Sequence, residues 1–145
     1  MITPQKTLAQ QIAQATIAFE RQRTGHAPSS VTVVLSGETL VITLHGALSP
    51  AETALAKTPA GAAQVQEFHR QLFINASDSL REEIHRITGV KVREAVAEVD
   101  ANIGMVVGVF TTGTTVQVFL LSHGLPSETW TGSAEDAVPA EVATT

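Results

Sequence analysis

The chain contains no cysteine. Disulfides, thiolate metal sites and cysteine nucleophiles are therefore excluded. It has no tyrosine and one tryptophan, so it offers no aromatic ladder on which the bases of single-stranded nucleic acid would stack. Charged residues are sparse, at 16%, and sum to a net charge of -5. Without a global basic field there is nothing to draw the protein to nucleic acid or anionic lipid, and any anion binding has to be local. No stretch approaches the roughly 18 consecutive apolar residues of a membrane span. The opening "MITPQKTLAQQIAQ" lacks the apolar core and small-residue cleavage site of a secretory signal. These absences together imply a soluble, cytoplasmic protein with no direct membrane insertion, which would act at a membrane from outside the bilayer or through a partner. What the chain does have is apolar material: 43% of its 145 residues are hydrophobic, enough to bury the core of one domain.

Patterning divides that material into elements. Residues 5–23 read as a helix, with Leu8, Ile12, Ala15 and Phe19 on one stripe. Thr3 or Thr7 serves as N-cap, with Pro4 near the first turn. Arg21 and Arg23 complement the carbonyl end, and Gly25 takes the left-handed conformation that stops the helix. In "SVTVVLSGETLVITLH" two period-2 runs flank "SGET", the pattern of a β-hairpin. "LSPAET" then carries a capping box, with Ser49 as cap, Pro50 at the first helical position and Glu52 three residues on. It opens a helix of about two turns, ended near Lys57.

The longest pattern spans 61–87. Val65, Phe68, Leu72, Ala76, Leu80, Ile84 and Ile87 recur near the helical repeat. Their phase runs unbroken through "NASDS", although Ser79 and Glu82 offer an alternative capping box. One continuous helix of this span is about 40 Å long, against about 38 Å for a compact domain of this size. That length argues for cover from a second copy, hence a homodimer. Thr88-Gly89 repeats the Thr24-Gly25 stop, so that helix, Thr-Gly and paired strands occur twice. Residues 91–99 and 104–111 read as strands turning at 100–103, and 115–121 as a fifth strand. From Ser122 the chain is small, polar and acidic, which reads as a flexible tail, 122–145, anchored by Trp130. The expected fold is α+β, with residues 1–121 as a single domain. It has a mostly antiparallel sheet of four or five strands, the N-terminal and long helices on one face, and elements in the order αββααββ.

Chemistry is less legible. His26, His45, His69, His85 and His123 show no HxxxH or HExxH spacing, and His69 and His85 lie too far apart on one helix to share a metal. There is no nucleophile elbow and no phosphate loop. The acidic pairs Glu82–Glu83 and Glu98–Asp100 read as solvated faces. No catalytic residue, metal or cofactor is expected, and the protein reads as no enzyme. One candidate surface remains. Arg21, Arg23 and His26 cluster in sequence, and "EFHRQLF" places His69 and Arg70 on the long helix. If the two helices pack together, these five residues form an anion-binding patch suited to a carboxylate, phosphate or bicarbonate. That patch carries the alternative function, a small-anion sensor or enzyme.

The order of elements, with "TGHAPSSV", "LSPAETAL", "VQEFHRQLF", "LREEIHRITGVKV" and "VVGVF", resembles the MpsC-like family of small bacterial domains over about residues 7–111. His26 and Ala27 stand where the family usually has a basic residue and a glycine. His69 and Arg70 stand where it usually has paired arginines, so the candidate patch is less positive here. The resemblance implies a soluble accessory or interaction module of a bacterial membrane-potential-generating system, linked to ion or inorganic-carbon transport, with a membrane-transport protein as partner. It brings no catalytic residues.

Overall fold

A computed structural model describes residues 6–93, 105–109 and 114–133 of the chain. Its elements run α1 (Leu8–Thr24), β1 (Ser30–His45), α2 (Pro50–Leu55), α3 (Pro59–Thr88), β2 (Met105–Val109) and β3 (Thr115–Gly132). Local chemistry sets the helix ends. The Thr7 hydroxyl accepts from the Gln10 amide at 3.1 Å and starts α1. At α2 the capping box is complete: Ser49 Oγ accepts from Glu52 N at 3.2 Å, and Glu52 Oε1 accepts from Ser49 N at 2.9 Å. Thr58 and Pro59 open α3, which then runs unbroken for 30 residues, about 45 Å.

The two Thr-Gly stops share one geometry. Gly25 and Gly89 are left-handed at φ 76° and 75°. Their amides donate to Arg21 O and His85 O at 2.9 and 2.8 Å. The hydroxyls of Thr24 and Thr88 each lie 2.8 Å from the carbonyl four residues back and 3.1 Å from the amide two residues on. Each threonine ties its last helical turn to the outgoing chain, so helix termination accounts for both motifs.

The sheet is antiparallel with order β1–β3–β2. This corrects the expected four or five strands in αββααββ order: the described residues form three strands and three helices. The difference begins at residues 31–44. Both runs belong to one element, β1, and both arms pair with the same partner, from Val31–Gly132 to Leu44–Thr115, with register shifts around Gly37. The ends of β1 meet, since Ser29 N donates to His45 O at 2.8 Å. Sixteen extended residues would hold those ends about 50 Å apart, so β1 folds back at Gly37, where φ is 59°. Strand β3 follows the bend, and its pairing with β1 resumes on either side of the register shifts at Gly37. It runs to Gly132, so residues 122–132, expected to begin a flexible tail, are its second half. Of the expected strand 91–99, Val92 makes a single bridge to Leu121. Residues 94–104, with the expected turn at 100–103, lie outside the described residues, as do Thr3, Pro4 and 134–145.

One face of the sheet carries the core. Val31, Val33, Leu35, Leu40, Ile42 and Leu44 alternate inward along β1, and Phe119 and Leu121 along β3. Ile12 and Ile17 of α1 close over them, with Phe73, Leu80 and Ile84 of α3. On α3 the buried line is Val65, His69, Phe73, Ala76, Leu80 and Ile84. Phe68, expected on that stripe, is instead 53% exposed. Because buried α3 residues extend from Gly61 to Ile84, the chain itself supplies the cover that the helix length was expected to require from a second copy.

Candidate functional site

The inward-facing positions at the start of β3 alternate as Thr115, Gln117, Phe119 and Leu121. The first two are polar, and they are 4% and 3% exposed. Above them the helices also present polar groups: Thr16 and Glu20 lie one turn apart on α1, and His69 projects from α3. Together with Arg23 these residues line a cavity of about 20 Å³ enclosed by α1, α3 and β3. That is room for one water-sized occupant.

The groups around the cavity are unequally satisfied. His69 is 6% exposed, and its Nε2 donates to Glu52 Oε2 at 2.7 Å. Since Glu52 Oε1 holds the Ser49 amide, one carboxylate both caps α2 and locks α2 onto α3. Burial raises the Glu52 pKa, but the Ser49 amide, His69 and the Ser49 hydroxyl outweigh it, so this carboxyl titrates below the ordinary range. Glu20 goes the other way. Desolvation and nearby Glu52 push its pKa up and His69 pulls it down, with burial dominant. Thr16 Oγ1 donates to Ile12 O at 2.8 Å. Gln117 Oε1 and Thr115 Oγ1 are buried and have no protein partner.

On its outer side, Glu52 borders a second depression of about 420 Å³, between α2 and α3. Leu55 and Phe68 form its apolar rim and are 47% and 53% exposed. Val65 forms part of its lining.

Of the five residues expected to form an anion patch, four have separate partners. His69 holds Glu52. Arg70 Nη1 lies 3.7 Å from Glu67 Oε2. Arg23 stacks on the Phe19 ring at 5.0 Å. His26 Nε2 donates to Gly46 O at 3.0 Å, and Arg21 is exposed in the last turn of α1. Of the five, Arg23 and His69 line the same cavity. Glu20, Glu52, Thr115 and Gln117 were absent from the expected site. A glutamine at an inward position of "TVQVFLL" is the one signal in the sequence that pointed there. Among the described residues no group of three or more His, Asp or Glu is placed to hold a metal ion.

Comparison with known proteins gives a setting. Residues 4–120 match the family model described as "Na+-translocating membrane potential-generating system (MpsC)". The chain belongs to the MpsC family. No curated protein and no solved structure matches it. The match includes every element from α1 to β2 and the start of β3, with Thr115 and Gln117. Among the described residues, no helix of this MpsC chain is long and apolar enough to cross a membrane.

Proposed function

We propose that this MpsC chain is a non-enzymatic accessory module of a membrane-potential-generating system, acting from the cytoplasmic side by contact with a membrane component of that system. The family match supports the setting. The observation that carries the contact is the apolar rim of Leu55 and Phe68, the large hydrophobic side chains standing exposed among the described residues. They flank a depression between α2 and α3, and an aromatic and an aliphatic anchor beside a recess suit a protein-docking surface.

The test is genetic and physical together. In a host lacking the chain, wild type should restore the membrane potential read by a voltage-sensitive dye, and Leu55→Asp/Phe68→Asp should not, although both proteins melt at the same temperature. Full rescue by the double variant removes the docking reading. Sedimentation equilibrium separates the occupants. A wild-type dimer that becomes a monomer in the double variant assigns the surface to a second copy of the chain, the homodimer expected from sequence.

A further inference from the structure

We propose that the groove between α1 and α3 that is lined by Lys6, Arg23 and Arg86 docks an extended acidic segment of a partner protein. The groove shares no residue with the depression at Leu55 and Phe68, so the inference stands or falls apart from the docking reading above.

The charge in this groove runs against that of the whole molecule. It measures about 750 Å³ and takes Lys6, Arg23 and Arg86 from a chain whose net charge is -5. Glu83 is the carboxylate among its described lining residues, and Arg86 already holds it. The other two cations have no carboxylate among the described residues. Lys6 Nζ donates to the neutral Gln14 Oε1 at 2.9 Å, and the Arg23 guanidinium lies over the Phe19 ring at 5.0 Å. A guanidinium stacked on a ring keeps its in-plane N–H groups for an acceptor. Spacing then selects the occupant. Lys6 and Arg23 bracket α1 and are separated by about 25 Å of helix. That is too far for one small anion and is matched by about eight extended residues. Between the two cations Gln11, Gln14 and Gln22 supply side-chain amides for a peptide backbone, and the small Ala15 and Ala18 leave room for a chain to lie in the groove. A bilayer cannot enter a recess between two helices, and an anionic one repels a molecule of net charge -5.

The test is fluorescence anisotropy of a labelled, alternating Glu-Ala dodecapeptide titrated with the full chain, with the Lys-Ala dodecapeptide as control. The Glu-Ala peptide should bind, the Lys-Ala peptide should not, and the side-chain amide resonances of Gln11, Gln14 and Gln22 should shift on binding. Arg23→Gln/Arg86→Gln should weaken binding about tenfold. Lys57→Gln/Lys91→Gln removes the same charge from exposed positions outside the groove and should change binding by less than about twofold. Ala18→Glu places a carboxylate at an exposed position in the groove, retains a good helix former, and should abolish binding. Absence of binding to the wild-type chain overturns the proposal. Equal weakening by the two double variants reduces the attraction to net charge and also overturns it. Binding that emerges only in Glu135→Gln/Asp136→Asn/Glu141→Gln overturns the partner in favour of the chain's own acidic residues 134–145. Preference for phosphatidylglycerol vesicles or inorganic phosphate over the peptide overturns it in favour of a lipid or a small anion.

Discussion

Glu20 and Glu52 flank the same histidine and are shifted in opposite directions, which gives them opposite pH signatures. Glu20 has its folded pKa above the ordinary 4.5. The folded state therefore holds the proton more tightly. The associated stability is complete below about pH 4.5 and is lost as pH rises through the folded value. At constant ionic strength, Glu20→Gln should accordingly be more stable than wild type at pH 8, with the advantage shrinking toward pH 4. Urea melts at the two pH values measure this, and an equal difference at both would show that the carboxyl is not desolvated. Glu52 has its folded pKa below 4.5. Its contribution is present above 4.5 and is lost as pH falls through the folded value. Glu52→Gln should cost about 2 kcal/mol near neutrality, the scale of a hydrogen bond to a charged group. It should also flatten the acid limb of the stability curve. At this scale the sequence was readable for the capping box and misleading for the histidine. His69 was expected to join Arg70 in an anion-binding patch. Its burial depends on α2 returning Glu52 to within 2.7 Å, a tertiary contact that no local pattern contains.

Elements were legible where local chemistry alone decides them. The Thr-Gly stops, the Ser49 box and the continuity of α3 all follow from residues within four positions of one another. The phase of α3 shows the limit of such reasoning. Phe68 and Leu72 fit a helical stripe with Ala76 as well as His69 and Phe73 do, and hydrophobicity favours the former. The structure buries His69 and Phe73, because Phe73 meets the Phe119 ring at 5.9 Å between centroids and His69 meets Glu52. The α2–α3 junction is equally tight. A Cβ on Gly61 would fall 1.9 Å from the Leu55 carbonyl oxygen, a backbone atom that cannot swing aside. Gly61→Ala should therefore destabilise by about 1–3 kcal/mol, the range for overpacking, although alanine is the better helix former. Ser49→Ala should cost about 1 kcal/mol through loss of the cap. Chemical denaturation of both variants checks the order. If Gly61→Ala proves neutral, the two helices are not in the contact described.

At the scale of the whole molecule, the outcome least visible in the sequence is the reach of β3. Residues 122–132 have the small, polar composition of a tail, and no apolar alternation marks them as strand. They are held by what they lie against. Thr131 Oγ1 donates to Thr32 Oγ1 at 3.2 Å, and Leu125 and Trp130 pack on the core. Glu128 Oε1 accepts from Ala9 N at 2.8 Å in the first turn of α1, where a carboxylate complements the helix dipole. The segment therefore joins the N-terminal helix to the first arm of β1 across more than a hundred residues of sequence. Long-range closure of this kind is supplied by the fold and not by local propensity. It makes a prediction that a tail would not. A chain ending at residue 121 should melt well below one ending at 133, because removing the second half of β3 unpairs Val31–Leu35 and frees the first turn of α1. In the longer chain, Glu128→Gln should cost about 0.3–1 kcal/mol, the scale of a charge at a helix terminus. Equal melting temperatures for the two truncations would return residues 122–132 to the status of a tail. A lower melt for the shorter chain, accompanied by faster hydrogen exchange at Val31 and Val33, would establish the ribbon as part of the folded unit.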